Sequence, residues 1–251
     1  MLPAERRTQL REIVRRRRFG ERVFGAWGFG RRHADARGLA ALFTGPSGTG
    51  KTMAAAIVAR ELGLDLYRID LSQIVSKYIG ETEKHLAHVF AEAEASDVAL
   101  FFDEADALFG KRSAVQDAHD RYANIEVAYL LQQVETYPGV VILASNLRKN
   151  LDEAFLRRLQ VCVEFALPSA AERAAIWRRV WPAEAPMSPE LDLDDLAERL
   201  ELSGGHIRNI ALGAAFAAAE AGEEIHRGHV MAAARAEYLR ISKLFAPSLF
   251  A

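Results

Sequence analysis

Short apolar runs alternate with longer amphipathic segments between Gly38 and Pro168. The runs are five to seven residues long and rich in β-branched and aromatic residues, which is typical of strands that are buried on both faces. The segments between them repeat apolar residues at helical spacing, as over 119–135. Strands that alternate with helices predict an α/β fold, a doubly wound five-stranded parallel sheet. The predicted strands are 39–44, 64–70, 98–102, 140–144 and 161–165.

The pattern changes to helix alone after Pro168. Amphipathic segments follow, separated by prolines and glycines, at 171–180, 193–200, 206–219 and 228–241. Helices without strands predict a small all-helical domain. We therefore expect an arm over 1–37, an α/β domain over 38–167 and a helical domain over 168–251.

The composition is that of an ordinary globular protein, since half of the 251 residues are hydrophobic, 26% are charged and the net charge is −2. It argues against disordered, collagen-like and disulfide-stapled chains. The sequence contains neither a run of about 18 apolar residues nor a signal peptide, so we expect a cytoplasmic protein that does not enter a membrane. The single cysteine, Cys162, lies in an apolar run and is expected to be a small core residue.

The first 38 residues are strongly positive, with 11 arginines against four acidic residues. A short apolar stripe of Leu10, Ile13 and Val14 predicts a helix, and the run Arg15 to Arg18 follows it. Such a segment is typical of an arm that binds nucleic acid or an anionic membrane. The lack of interleaved aromatic residues and the short helix favour the other interpretation, a helix docked on its own domain or on a neighbouring subunit.

A glycine-rich loop joins the first predicted strand to a helix over 53–62. It reads Gly-Pro-Ser-Gly-Thr-Gly-Lys-Thr over 45–52 and matches GxxxxGK[ST] in the required strand–loop–helix setting. The backbone N–H groups of such a loop and the helix N-terminus attract phosphate. We expect Lys51 to contact the β- and γ-phosphates and the Thr52 hydroxyl to hold Mg²⁺. The residues expected to bind the nucleotide in this loop are Pro46, Ser47, Gly48, Thr49, Gly50, Lys51 and Thr52.

Two adjacent carboxylates, Asp103 and Glu104, follow the apolar strand 98–102. A parallel sheet places such residues at the carboxyl edge, where ligands bind. Asp103 is expected to hold the water shell of Mg²⁺, and Glu104 to orient and polarise the attacking water. The pair is a weak signal alone, but together with the phosphate loop it predicts a nucleotide-hydrolysing site.

The loop and the carboxylates resemble those of the AAA+ ATPases, and the resemblance extends from about Trp27 to Tyr238. Within that superfamily, the chain is most similar to the AAA group with an aromatic pore loop, whose members remodel or unfold other proteins. The resemblance implies a Mg²⁺-dependent ATPase that binds ATP and ADP, a hexameric ring, and a helical domain that acts as a lid.

Asn146, at the end of the fourth strand, resembles the sensor-1 residue of this family, which implies a hydrogen bond to the γ-phosphate or to the attacking water. The stretch 151–158 resembles the second region of homology, whose arginines reach the ATP of the neighbouring subunit. The resemblance assigns this arginine-finger role to Arg157 or Arg158. The Pro-Gly that usually separates the two arginines is missing, so the choice between them stays open.

The segment Lys77, Tyr78, Ile79 and Gly80 resembles the first pore loop, in which the Tyr78 ring would grip a polypeptide whatever its side chains. A second charged loop over 110–120 either lines the same axis or is a solvated surface loop.

The start of a predicted lid helix, 203–207, resembles the segment that packs on the adenosine, and Gly205 is the residue carried over. His206 stands where other branches of the superfamily have a sensor-2 arginine, and Arg208 is a weaker candidate for a phosphate contact. The seven histidines show no metal-ligand spacing, so no zinc site is predicted.

The leading hypothesis is a hexameric ATPase that pulls a protein substrate past Tyr78, with an adaptor protein as a further partner. The rival is a nucleic-acid-binding or assembly factor that uses ATP as a switch and the arginine-rich arm as its binding surface. Two stretches, 103–113 and 202–212, resemble bacterial single-ring AAA proteins found beside contractile injection systems. A 38-residue arm is too short to build a separate substrate-binding domain.

Overall fold

The computed structural model describes residues 2–32, 38–71, 81–106, 118–146 and 156–241, with the backbone alone over 118–125. Contacts divide the chain into two compact units. The sheet unit comprises Pro3–Gly45 and Lys51–Phe165, and the lid unit comprises Pro46–Gly50 and the chain from Ala166 onward.

Five strands form one sheet in the sheet unit, and all of its paired strands are parallel. The spatial order is β2-β3-β4-β1-β5. The doubly wound five-stranded parallel sheet expected from the sequence is therefore confirmed. The strands are β1 Leu39–Thr44, β2 Leu66–Asp70, β3 Ala99–Asp103, β4 Val140–Ser145 and β5 Val161–Glu164.

Apolar side chains place β1 and β4 at the centre of the sheet, where every residue of both strands is buried. Strand β2 begins two residues later than the hydrophobic pattern predicts. Gly63 adopts a positive φ of 73°, and the N–H of Leu64 still donates to the carbonyl of Ala59, so the end of the preceding helix takes up these residues.

The helices of the sheet unit are α1 Ala4–Gly20, α2 Lys51–Leu62, α3 Glu81–Ser96 and α4 Ala118–Thr136. One aromatic cluster ties the sheet to α3, because the Phe90 ring packs 5.6 Å from both Phe102 and Tyr137. The Tyr137 hydroxyl donates to the carbonyl of Val98 at 2.9 Å, which satisfies its polar end inside the core.

The arginine-rich arm docks on its own unit through α1. Ile13 and Val14 are buried, and α1 packs against α2 and β5. Arg17 pairs with Asp97 at 2.9 Å, and Arg18 donates to the carbonyl of Glu61. A π-helical turn, Glu21–Ala26, and a short 3-10 helix, Phe29–Arg31, continue the arm.

Cys162 is exposed, so its expected place in the core is wrong. Strand β5 lies at the end of the sheet and pairs with β1, and its side chains alternate. Val161 and Val163 point into the core, while Cys162 and Glu164 face away from it. An alternating end strand exposes every second residue, even where the sequence is mostly apolar.

The lid unit is helical beyond its loop segment, with α5 Ala170–Val180, α6 Leu193–Arg199, α7 Gly204–Ala221 and α8 Arg227–Arg240. Its core surrounds the fully buried Trp177. Helix α5 starts with a capping box in which Ser169 and Glu172 satisfy each other's backbone N–H groups. Among the described residues, none of the helices combines the length and apolarity needed to cross a bilayer.

Candidate functional site

The predicted catalytic residues of the sheet unit gather at the carboxyl edge of the sheet, where β3, β4 and β1 end side by side. The chain leaves β1 for β2 on one side, and it leaves β4 for β5 on the other side. Neighbouring strands with connections that run in opposite directions leave a crevice beyond their carboxyl ends. The topology therefore puts a ligand crevice next to Thr44, Asp103 and Ser145.

Glycine is required in the loop after β1. Gly45 has a φ of 138°, and a Cβ added there would lie 2.0 Å from the carbonyl oxygen of Phe165. Gly48 has a φ of 76°, which other residues adopt only with strain. The Thr49 hydroxyl donates to the carbonyl of Pro46 at 2.8 Å and braces the turn. These features give the loop the tight, glycine-dependent shape of a phosphate cradle.

Lys51 begins α2, and its ammonium is buried, with 7% of the residue exposed. The Nζ atom donates to the carbonyl of Gly45 at 2.5 Å and to Oδ1 of Asn146 at 2.8 Å. Burial lowers the pKa of Lys51, while Asp103 and Asp106 act in the opposite direction. The site thus contains a cation that burial disfavours, next to the loop that is expected to hold phosphates.

Asp103, the last residue of β3, has both oxygens engaged. Its Oδ1 accepts the N–H of Glu104 at 3.0 Å, and its Oδ2 accepts a guanidinium N–H of Arg68 at 2.6 Å. Arg68 reaches it from β2, the adjacent strand. The Asp103 carboxylate is therefore oriented and has a counter-ion before any metal binds.

Glu104 is exposed and has a φ of 54°, in the left-handed region that is rare for residues other than glycine. The hydrogen bond from its own N–H to Asp103 supports this conformation. Strained backbone of this kind costs on the order of 1 kcal/mol and is concentrated at functional sites. The turn places the Glu104 side chain just beyond the strand end.

Asn146 follows β4 and is oriented from both sides. Its backbone N–H donates to Oδ1 of Asp106 at 3.1 Å, while its side-chain oxygen accepts from Lys51. Asp106 thus connects the segment after β3 to the end of β4. An amide held in this way can exchange its lysine partner for a phosphate oxygen or a water.

This donor set fits a magnesium nucleotide. The hydroxyl of Thr52, which is half-buried next to Lys51, and the Asp103 carboxylate are the hard oxygen ligands that Mg²⁺ prefers. The glycine loop leaves no room for side chains where phosphates would lie, and Lys51 supplies the positive charge. Thr52 and Asp103 would therefore hold the metal.

Both candidate finger residues, Arg157 and Arg158, lie on an exposed turn that precedes β5. The Arg158 guanidinium is paired with Glu135, near the end of α4, at 2.7 Å. This ion pair restrains Arg158 against its own subunit.

Within the lid unit, the start of α7 contacts the loop segment. The N–H of Gly205 donates to the carbonyl of Gly48 at 2.9 Å. The Ser203 hydroxyl is buried without a hydrogen-bond partner, and a Cβ on Gly48 would lie 2.4 Å from it. Arg208 is exposed on the first turn of α7.

His206 belongs to a buried polar cluster that joins α7 to α8. Its Nδ1 lies 2.6 Å from Oε1 of Glu237, which also accepts from Asn209 and Arg240. The hydrogen bonds from Arg240, followed by those from His206 and Asn209, lower the pKa of Glu237 to about 2, against the effect of burial. The cluster holds a carboxylate in its charged form and fixes the start of α7.

One group of metal-ligand types, Glu223, His226 and His229, comes together at the start of α8 in the described part of the lid, a proximity that the spacing analysis missed. His226 Nδ1 accepts the N–H of Gly228 at 3.0 Å, and His229 Nδ1 accepts the N–H of His226 at 3.4 Å. A neutral imidazole that accepts at Nδ1 carries its proton on Nε2, and both Nε2 atoms face the Glu223 carboxylate. The group therefore forms a helix cap.

Comparison with known proteins identifies the family. The model of the ATPase family associated with various cellular activities (AAA) matches residues 41–167, which is half of the chain. The chain belongs to the AAA family. The predicted membership in this superfamily of ATPases is confirmed.

Several curated proteins are similar to this AAA chain. The ATP-dependent zinc metalloprotease FtsH 3 of Sphaerobacter thermophilus is 38% identical over 82% of this chain and 40% of that protein. A human katanin p60 ATPase-like protein is 33% identical over 67% of this chain and 36% of its own length. The 26S proteasome regulatory subunit 6B homolog of Dictyostelium discoideum is 37% identical over 67% of this chain and 44% of its own length. The chain thus spans about two fifths of the relatives that it matches.

Some predicted functional residues lie outside the part of the AAA chain that the structure describes. They are the pore-loop residues Lys77, Tyr78, Ile79 and Gly80, together with 151–155 and most of the second charged loop. Their roles stay predictions.

Two polar residues of the candidate site, Arg68 and Asp106, did not stand out in the sequence. Asp106 had a usable signal, because it follows Asp103 by three residues in the stretch Asp-Glu-Ala-Asp. Arg68 had none, since its pairing with Asp103 depends on the adjacency of β2 and β3.

Proposed function

We propose that this AAA chain binds ATP with Mg²⁺ at the carboxyl edge of its sheet and hydrolyses it. The observation that carries the proposal is the buried Lys51 ammonium, held between Gly45 and Asn146 on the same edge as Asp103 and Glu104. An ammonium whose charged form burial disfavours gains free energy when an anion such as phosphate binds next to it.

Each group at this edge has one task in the proposed reaction. Lys51 and the N–H groups of the loop would bind the phosphates. Asn146 would orient the attacking water, and Glu104 would accept its proton. Bound Mg²⁺ supplies neutralisation of the charge on the β- and γ-phosphate oxygens.

Hydrolysis and ATP binding by Glu104→Gln test this assignment. We expect turnover to fall by at least about 100-fold while ATP affinity is kept, because a positioned general base contributes 10²–10⁴-fold. Glu198→Gln, an exposed change on α6, is the matched control and should behave like the unmodified chain. Normal hydrolysis by Glu104→Gln would remove Glu104 from the mechanism.

The second part of the proposal is a hexameric ring in which Arg157 or Arg158 stabilises charge on the ATP of the neighbouring subunit. The exposure of both arginines supports it. Arg158 would have to leave Glu135 to reach a neighbour, so Glu135→Gln should raise turnover if Arg158 is the finger and leave it unchanged if Arg157 is. Mixing Arg157→Ala or Arg158→Ala chains with Glu104→Gln chains shows which arginine acts across subunits.

The third part is protein remodelling, in which ATP hydrolysis moves a polypeptide past Tyr78. The names of the relatives support this interpretation, since they include an ATP-dependent protease and a proteasome regulatory subunit. Tyr78→Ala should abolish remodelling of a protein substrate while ATPase activity persists. Identification of the proteins retained by Glu104→Gln in the presence of ATP tests the substrate directly.

The alternative function is an ATP-switched nucleic-acid-binding or assembly factor. The exposure of Arg15 and Arg16 on α1, at 70% and 47% of their side chains, favours it. Binding to DNA or RNA that weakens steeply with salt, and that disappears when the run Arg15 to Arg18 is replaced, would support it. Cytoplasmic location and an association with a contractile injection system are finer proposals, which rest on the sequence resemblance alone.

A further inference from the structure

A groove of about 870 Å³ lies at the edge of the sheet opposite the candidate ATP site. One side is formed by the second half of α1 and the turn that follows it. The other side is formed by Leu39, Pro138 and Gln160, which begin β1 or precede β4 and β5. Because these strands are parallel, their amino ends face away from the phosphate loop, and the two sites are separate.

The α1 side of the groove is cationic, since the run Arg15 to Arg18 lines it. Arg15 and Arg16 share a single carboxylate, that of Glu12. Arg18 donates to a neutral backbone carbonyl, that of Glu61. A guanidinium has five N–H donors, so these contacts leave further donors and positive charge for an anionic partner.

The remainder of the groove offers aromatic surface. Phe19 and Trp27 both line it, and they are 51% and 62% exposed. The Arg22 guanidinium lies 5.6 Å from the centre of the Trp27 ring and presses on that side chain. Exposed rings next to arginines are the residue types that carry most of the binding energy in protein interfaces.

We infer that this groove binds an acidic peptide segment of a partner protein, in which carboxylates alternate with apolar side chains. The inference deepens the proposed function and rests on it for its meaning, because it identifies how the ATPase would recognise an adaptor or a substrate.

The groove fits a peptide better than a nucleic acid. Two carboxylates, Glu12 and Glu21, line it among the arginines, and they would repel the consecutive phosphates of a nucleic-acid strand. A peptide places its carboxylates at intervals and fills the space between them with apolar groups, which suits the neighbouring Phe19 and Trp27.

Fluorescence anisotropy with a labelled 12-residue peptide of alternating Glu and Leu tests the inference. The comparison probes are the same peptide with Gln in place of Glu, and a single-stranded DNA of equal charge. We expect the acidic peptide to bind with a micromolar Kd and the Gln peptide at least about tenfold more weakly, since charge-assisted hydrogen bonds are lost. The DNA should bind more weakly than the acidic peptide at the same salt concentration.

Two variants locate the binding. Arg15→Gln with Arg16→Gln removes two exposed charges whose contacts stay within α1, and should weaken peptide binding about tenfold. Trp27→Ala should weaken it several-fold through lost ring contact. Arg235→Gln, on the exposed face of α8, is the matched control and should leave binding unchanged.

ATP binding is measured in the same samples. Acidic-peptide binding that is lost in the arginine pair and kept in the control supports the inference, even if the chain proves not to hydrolyse ATP. Equal binding of the Gln peptide, tighter binding of the DNA, or no acidic-peptide binding by a chain that still binds ATP would overturn it. The DNA outcome would favour the nucleic-acid alternative instead.

Discussion

Two buried charges, Lys51 in the sheet unit and Glu237 in the lid unit, share the same 7% exposure and differ in what surrounds them. Burial lowers the pKa of Lys51 and so works against its charge. Hydrogen bonds from Arg240, and then from His206 and Asn209, lower the pKa of Glu237 to about 2 and so favour its charge.

The contrast separates a structural charge from one that awaits a ligand. Glu237 accepts four hydrogen bonds from three side chains, and its free energy is favourable in the folded chain as it stands. The contacts of Lys51 with neutral oxygens of Gly45 and Asn146 do not offset its burial. A buried group whose charge its surroundings disfavour is a typical mark of a functional site.

Lys51→Met should change ATP binding more than any other substitution considered. The change removes the cation that would contact the phosphates, so we expect calorimetry to show a loss of ATP affinity of at least about 100-fold, or about 3 kcal/mol. The melting temperature should stay the same or rise, because a desolvated charge is removed.

Lys84→Met, an exposed change on α3, is the control for that experiment and should alter neither quantity. A fall in the stability of Lys51→Met comparable to its loss of ATP binding would make Lys51 a structural residue like Glu237.

Glu237→Gln should have the opposite profile. It weakens the hydrogen bonds from Arg240 and His206, and we expect a loss of about 2 kcal/mol in the free energy of unfolding. Urea unfolding measures it, with Trp177 and Trp181 as reporters in a Trp27→Phe background.

The pH dependence of the same measurement supplies the sign. The pKa of Glu237 is depressed in the folded chain, so its contribution is fully present above about pH 4.5 and is lost as the pH falls towards 2. The unmodified chain and Glu237→Gln should therefore converge in stability over that window. Parallel curves would mean that the Glu237 charge does not support the lid.

Arg68→Gln should have a weaker effect, on the Mg²⁺ requirement alone. Arg68 is the counter-ion of Asp103, and its removal should lower the Mg²⁺ concentration needed for half-maximal ATP binding by up to about fivefold, as for an exposed ion pair. Arg60→Gln, on an exposed face of α2, is the control. A higher Mg²⁺ requirement would instead mean that Arg68 holds Asp103 in place for the metal.

Local pattern was sufficient for the fold. Apolar runs located every strand to within two residues at either end, because strands buried on both faces are continuous in sequence. The pattern failed at Cys162, since an apolar run does not show that its strand lies at the end of the sheet.

The site was predictable where its residues are close in sequence and unpredictable where they are not. The loop around Lys51 and the pair Asp103 and Glu104 each form a contiguous motif. The contacts Arg68 with Asp103 and His206 with Glu237 join residues 35 and 31 positions apart, and they depend on strand and helix adjacency. No local spacing encodes them.

ATP binding by Lys51→Arg is the decisive measurement for the role of Lys51, because the change keeps the charge and alters its shape. We predict that calorimetry will show at least about tenfold weaker binding, since a planar guanidinium does not fit where the compact ammonium lies between Gly45 and Asn146. ATP affinity equal to that of the unmodified chain would contradict the assignment of Lys51 as the phosphate-binding cation.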